Sequence, residues 1–355
     1  MQKNNFDFLR LLFASFVIIT HSFVLLGLEF FEPLTNITCG QINFSFIGLR
    51  GFFIISGFLI YKSLDRSSSI VDYVWKRLLR VFPALIFLGI ITTFLIGPIL
   101  SSDSFTVYFL NKNVYLFFIS SINLFVQNDF KCLPALFINN PYNCEVNGSL
   151  WTITYEFLFY IGLLFLLIFQ KKTFKKILLV FALLTIYLFK IIYVEKYFKY
   201  EYFIKFTSIG LKSASDFGCY FIYGTLFSIY NYENLATKWH RFIIIICSII
   251  FILLISLNSF KFFPIIIIPI ILSLSLLKLK FFDFLKKTGD ISYGTYLYGF
   301  LIQQILISLF NLNIAILIIS TLLLSWIAGF ISWNYLEKPM LFYKNYFSTN
   351  DIKKI

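Results

Sequence analysis

Stretches of roughly 20 mainly apolar residues, each closed by a short polar segment, recur along the chain, and that is the length a helix needs to cross a bilayer. The expected spans fall at 8–28, 44–64, 81–99, 149–169, 177–194, 215–230, 242–257, 262–279, 291–310 and 314–336. The pattern predicts an all-α integral membrane protein with about ten transmembrane helices. The sixth and seventh spans are the shortest, and losing either would put the termini on opposite sides. The first apolar stretch, Leu11 to Phe31, follows a weakly basic start but no small-x-small cleavage site, so it reads as a retained helix.

Charge supplies the orientation. With the N-terminus inside, 21 of the 30 Lys and Arg residues lie on inner segments, seven lie on outer ones, and Arg50 and Lys190 fall within spans. Ten spans with N-terminus and C-terminus cytoplasmic therefore satisfy the positive-inside rule, and the expected location is the inner (cytoplasmic) membrane. The formal charge of +13 comes from short basic runs between apolar stretches, with no basic face for nucleic acid. At 59% hydrophobic and 13% charged, the composition excludes a soluble domain.

The largest outer loop, Ser101 to Gly148, holds an apolar run, Val114–Val126, too short to span and expected as a re-entrant or interfacial helix forming a lid over a central cavity. Cys132 and Cys144 lie in that loop, 12 residues apart, and a disulfide and two free thiols are equally open. None of the five cysteines has a metal-site spacing, so no metal is expected. With no repeat or linker, residues 1–355 read as a single domain.

Ionisable residues within a bilayer are costly and mark function by default; here they are Arg10, His21, Arg50, Glu156, Lys190, Asp216 and Glu337. Arg10 and His21, about three turns apart, share one face of the first helix, ~16 Å apart along it. The bland alternative has Arg10 pairing with Asp7 and His21 bridging helices. The other histidine, His240, is expected in a polar cytoplasmic turn. Arg77 and Arg80 share a face at the inner end of the third span, suited either to topology and lipid or to phosphates. Glu156, about two turns into the fourth span, suits an ion pair, an imidazole or a sugar hydroxyl.

These residues resemble acyltransferase family 3. The matches are Arg10 and His21; Gly51-Phe52-Phe53-Ile54-Ile55-Ser56-Gly57; Arg77-Leu78-Leu79-Arg80 with Pro83; Ser149-Leu150-Trp151 to Glu156; Gly289-Asp290-Ile291-Ser292-Tyr293 to Leu297; and Glu337-Lys338-Pro339, all in the family's order. One departure is Tyr298-Gly299 and Gln303-Gln304, where many members have a second His, so a mechanism needing that residue is excluded. The resemblance implies an O-acyltransferase moving an acyl group, most commonly acetyl, from cytoplasmic acyl-CoA to a hydroxyl of an extracytoplasmic glycan. It implies His21, Arg10 and Glu156 as catalytic, Arg77 and Arg80 as acyl-CoA-binding, and Ser56, Tyr293 and Glu337 as oxyanion or positioning residues. Acyl-CoA is then a co-substrate, no cofactor is permanently bound, and the expected form stands alone, transferring directly or handing on to a separate periplasmic partner. A transporter or flippase of a lipid-linked glycan is the alternative, with the same charges lining a path.

Overall fold

The computed structural model describes residues 4–125, 131–169, 171–190, 192, 203–204, 207, 209–257, 263–277 and 288–348. Val126, the ends of the fifth and eighth expected spans, and Lys3, Lys196, Lys199, Lys205, Lys261, Lys278, Lys280, Lys286, Lys287, Lys353 and Lys354 lie outside the described residues. Among those described, the regular elements are all helices. The principal ones are α1 (Phe6–Leu25), α2 (Phe44–Asp65), α3 (Ile70–Ile91), α4 (Lys112–Ile122), α5 (Trp151–Gly162), α6 (Lys172–Phe189), α7 (Leu211–Ile229), α8 (Thr237–Ser256), α9 (Phe263–Leu276), α10 (Ser292–Leu309) and α11 (Ile314–Ser332).

Each expected span overlaps a helix, but only six helices among the described residues are long and apolar enough to cross a membrane by length and composition, not ten. They are α1, α2, α3 extended to Leu100, α5 extended to Ile168, α8, and α11 extended to Asn345. The seventh span, one of the two shortest expected, is thus among the six. Of the helices on expected spans that miss the criterion, α9 is too short, at 14 residues, and the other three carry polar groups: α6 opens on Lys172, Lys175 and Lys176, α7 holds Lys212 and Asp216, and α10 buries Ser292, Thr295, Gln303 and Gln304. Most of the polar residues of α7 and α10 are buried against the rest of the bundle. Conversely, only 6% of the α8 window is buried, and Phe242, Ile245, Ile249, Ile252 and Leu253 all point outward, as a lipid-facing helix requires.

Close packing follows from small residues. A Cβ on Gly57 of α2 would lie 2.0 Å from the Phe221 carbonyl, and one on Gly224 of α7 would lie 2.1 Å from the Ile54 carbonyl. Glycine at both places lets the two backbones touch, the usual solution where helices cannot gain by hiding apolar surface from water. Thr225 adds a hydrogen bond to the Gly57 carbonyl at 3.2 Å.

Several expectations change. The third helix begins at Ile70, well before 81, because Ser69 caps it by accepting from the Asp72 N–H at 3.0 Å. It runs through Pro83 and a π-helical turn, Thr92–Ile96. His240 is not in a turn: it lies inside α8, 3% exposed, with Nδ1 3.3 Å from Ser273 Oγ and its ring against Tyr232. The outer-loop run forms α4, whose Phe117, Ser120 and Ser121 wall a cavity. Cys132 and Cys144 are disulfide-bonded, with Cα atoms 5.0 Å apart.

Gln304 explains how that loop is held. Its side chain donates to the Tyr142 and Glu145 carbonyls at 2.9 and 2.7 Å and accepts from Asn140 at 2.8 Å. Gln303 donates to Ser22 Oγ at 2.6 Å and to the Ile18 carbonyl at 2.8 Å. The two glutamines on α10 are therefore struts to the outer loop and to α1.

Candidate functional site

Two cavities of similar size lie towards opposite ends of the bundle. One, about 480 Å³, is lined by the start of α1, the end of α2, the start of α3, Tyr160, Asp290, Trp333 and the segment from Leu341 to Asn345. The other, about 470 Å³, lies against α4, α5 and the disulfide-closed loop. Between them along α5 is a neck of about 40 Å³, lined by Arg10, Phe52, Ser56, Thr152, Glu156, Tyr293 and Tyr296 among others. Arg10 and Ser56 belong to both the first cavity and the neck.

The wall of the first cavity is an ion-pair network joined across the sequence. Arg10 donates to Asp290 Oδ2, and Arg80 donates to the same oxygen at 2.5 Å and to Glu337 Oε2 at 2.7 Å. Arg10 therefore pairs with Asp290 on the approach to α10. Glu337 is fully buried in a π-helical turn, Trp333–Glu337, where Ser332 also donates to it at 3.1 Å. The Arg80 guanidinium lies between the Tyr293 and Trp333 rings, 5.5 and 5.6 Å from their centroids. Burial alone would raise the Asp290 carboxyl, but Arg10 and Arg80, with the Ser292 hydrogen bonds, hold it below its ordinary value.

The two arginines of the Arg-x-x-Arg pair have different surroundings. Arg80 is neutralised by two carboxylates. Arg77 donates to Ser63 Oγ at 3.0 Å, its buried Nε has no partner, and no carboxylate lies within ion-pair distance of it among the described residues. Both line the cavity, but Arg77 retains charge to offer an anion.

In the neck, Glu156 accepts hydrogen bonds from Ser56 at 2.9 Å and from the Tyr160 hydroxyl. It forms no ion pair within 4 Å among the described residues. Tyr293 donates to the Val81 carbonyl at 2.8 Å, so its proton, like that of Ser56, is already engaged. Either would have to turn away from its partner to serve an oxyanion.

His21 lies apart from this group. It does not line either cavity or the neck; its ring meets Phe300 edge-on at 5.3 Å, and its buried Nδ1 has no partner. Phe300 in turn contacts Tyr142 at 6.5 Å, and Tyr142 lines the second cavity. Phe300 thus touches both His21, which is partly exposed, and a wall residue of that cavity. The remaining intramembrane charges form a separate cluster, in which Arg50 and Lys190 both pair with Asp216.

The sequence singled out Arg10, Arg77, Arg80, Glu156, Ser56, Tyr293 and Glu337, and the structure brings all of them to the first cavity, the neck or the network behind them. It missed Asp290 as the hub. The available signal was a carboxylate next to an apolar span that starts with Ser292.

A sequence model of the family described as an acyltransferase domain (acyltransferase 3) matches residues 3–332. A protein named O-acetyl transferase from Shigella phage Sf6 is 37% identical over 189 residues, 52% of this chain and 53% of that protein. Nodulation protein 10 of Rhizobium leguminosarum bv. viciae is 33% identical over 172 residues, 46% of this chain and 44% of that protein. The chain thus spans about half the length of the curated relatives it matches. No solved structure matches.

Proposed function

The chain belongs to the acyltransferase 3 family, and from that membership we propose that it is a multi-pass O-acetyltransferase of the inner membrane. It crosses the bilayer ten times with both termini cytoplasmic, takes an acyl group, acetyl by preference, from cytoplasmic acyl-CoA, and delivers it to a hydroxyl of an extracytoplasmic glycan. The similarity to a protein named O-acetyl transferase supports the acyl group. The observation that carries the reading is the first cavity: six cationic side chains, Arg10, Arg66, Lys76, Arg77, Arg80 and Lys344, line it against one carboxylate, Asp290. Such a lining suits a phosphate-rich donor, and on the proposed orientation it opens to the cytoplasm.

In the reaction, the acceptor hydroxyl gives its proton to His21 and its oxygen attacks the thioester carbonyl carbon. The C–S bond then breaks, and the proton leaves with the coenzyme A thiol. An acyl-imidazole on His21 followed by transfer to the hydroxyl is the covalent variant of the same step. In both, His21 acts from beside Phe300, whose ring also meets Tyr142 of the second cavity's wall. Glu156 holds Ser56 and Tyr160 around the neck through which the pantetheine arm reaches. Direct transfer is proposed, with a separate periplasmic acceptor protein as the alternative route.

Mass spectrometry of surface glycans from cells with and without the protein tests this. Acetyl groups should be present only with the protein; unchanged glycan acetylation would remove the proposal.

A further inference from the structure

We propose that Arg66 and Lys344 form a subsite at the mouth of the first cavity for the 3′-phosphate of the coenzyme A donor, so that the protein distinguishes coenzyme A from carriers lacking that phosphate. This rests on the donor reading given above.

Of the six cations lining the cavity, three are already committed to carboxylates. Arg10 and Arg80 share Asp290, Arg80 also holds Glu337, and Lys76 pairs with Asp72 at 2.7 Å. Arg66, Arg77 and Lys344 have no carboxylate within ion-pair distance among the described residues. These three stand at two depths. Arg77 is largely buried along α3, whereas Arg66, one residue past α2, and Lys344, in the turn Phe342–Asn345, are exposed at the rim.

The rim is built. Trp75 of α3 donates from Nε1 to the Tyr343 carbonyl at 2.9 Å and packs edge-on against Phe347 at 5.3 Å, which holds the segment bearing Lys344 beside the cavity. Arg66 donates through Nε to the Lys62 carbonyl at 2.9 Å, leaving its terminal nitrogens for a phosphate. Guanidinium can grip phosphate bidentately, and the ammonium adds a point charge.

Coenzyme A has the matching linear order: thioester, pantetheine, diphosphate, then the ribose 3′-phosphate. With the thioester directed into the neck, the diphosphate comes to Arg77 and the 3′-phosphate comes last, to Arg66 and Lys344. An acyl carrier protein presents one phosphodiester and no 3′-phosphate, and would leave the rim pair unused.

The test measures binding of coenzyme A and of 3′-dephospho-coenzyme A to the purified full chain in nanodiscs by calorimetry. The wild type should prefer coenzyme A by about tenfold, the low end for charge-assisted hydrogen bonds at an exposed rim. In the Arg66→Gln/Lys344→Gln variant the ratio should fall close to one, with the thermal unfolding midpoint unchanged. Lys171→Gln, which removes an exposed cation that does not line the cavity, should keep the preference. Equal binding of both compounds by the wild type overturns the subsite while leaving the donor reading intact. A loss of preference in Lys171→Gln overturns it too, since a general field would then explain the discrimination. Binding of neither compound overturns the donor reading and the subsite together.

Discussion

The two cavities have nearly equal volumes, about 480 and 470 Å³, yet they are built by different means. The first is framed mainly by helix ends locked by buried ion pairs, and its lining is strongly cationic. The second is framed partly by an irregular loop, closed by the Cys132–Cys144 disulfide and hung from Gln304. Its lining is nearly neutral: Lys131 and Glu145, 3.5 Å apart, are accompanied by hydroxyls, amides and aromatic rings, including Ser120, Asn123, Asn147, Trp151 and Tyr155. A cationic pocket selects anions at the risk of self-repulsion, so its deepest arginines need carboxylates to hold them. A neutral pocket of amides and aromatic faces suits an uncharged polyol and leaves the backbone to be stabilised by covalent and amide links.

The largest expected effect concerns the step that joins the two sides. His21→Ala should lower acetyl transfer by about 10²–10⁴-fold, or roughly 3–5 kcal/mol at 1.36 kcal/mol per tenfold, with coenzyme A affinity retained. A well-folded variant keeping half the wild-type rate would return His21 to a helix-bridging role.

Asp290→Ala breaks the first cavity alone. Removing the carboxylate shared by two buried arginines should cost about 3–5 kcal/mol, seen as a lower unfolding midpoint in detergent and less folded protein. The pH dependence has a defined sign: the folded-state value of Asp290 is depressed, so its contribution is present above the ordinary carboxylate range and is lost as pH falls through the depressed value. Acidification should therefore lower the wild-type midpoint more than that of Asp290→Asn. Parallel curves would separate the hub from acid sensitivity.

Reducing the disulfide, or Cys132→Ser/Cys144→Ser, breaks the second cavity alone and should cost about 2–4 kcal/mol. The readout is faster proteolysis of the outer loop while coenzyme A still binds. If coenzyme A affinity fell in step, the two cavities would be one cooperative unit.

Within the first cavity the comparison sharpens to neighbours. Arg77→Ala should weaken coenzyme A about ten- to hundredfold without lowering the unfolding midpoint, and Lys should restore only part of the affinity. Arg80→Ala should instead destabilise the fold, because it strands the buried Glu337 carboxylate and leaves Asp290 with Arg10 alone. Identical behaviour of the two variants would erase the distinction drawn from their partners.

Much of this site was legible in the chain because intramembrane polar residues are scarce and therefore informative. Arg10, Glu156 and Glu337 could be named from placement alone, Arg77 and Arg80 only through the family resemblance, and all five converge. His240 was misplaced because helix boundaries near a charged segment depend on packing partners: its burial against Ser273 and Tyr232 extends α8 by about a turn beyond the apolar run. Asp290 was not recognisable as a hub, since its partners Arg10 and Arg80 lie 280 and 210 residues away.

The sequence by itself determined that the chain is built of apolar helices and which stretches avoid water, since bilayer thickness sets a length and unpaired backbone forces a helix. It also determined which few polar groups had to be accommodated inside. Only the tertiary structure decided which charges neutralise one another, that Arg80 is bound while Arg77 keeps an unmatched charge, that His21 packs against Phe300, and that the two loop cysteines meet. Those outcomes depend on distances of a few ångströms between segments far apart in the chain, and Coulomb attraction, hydrogen bonding and disulfide formation respond to such distances, whereas the hydrophobic pattern does not.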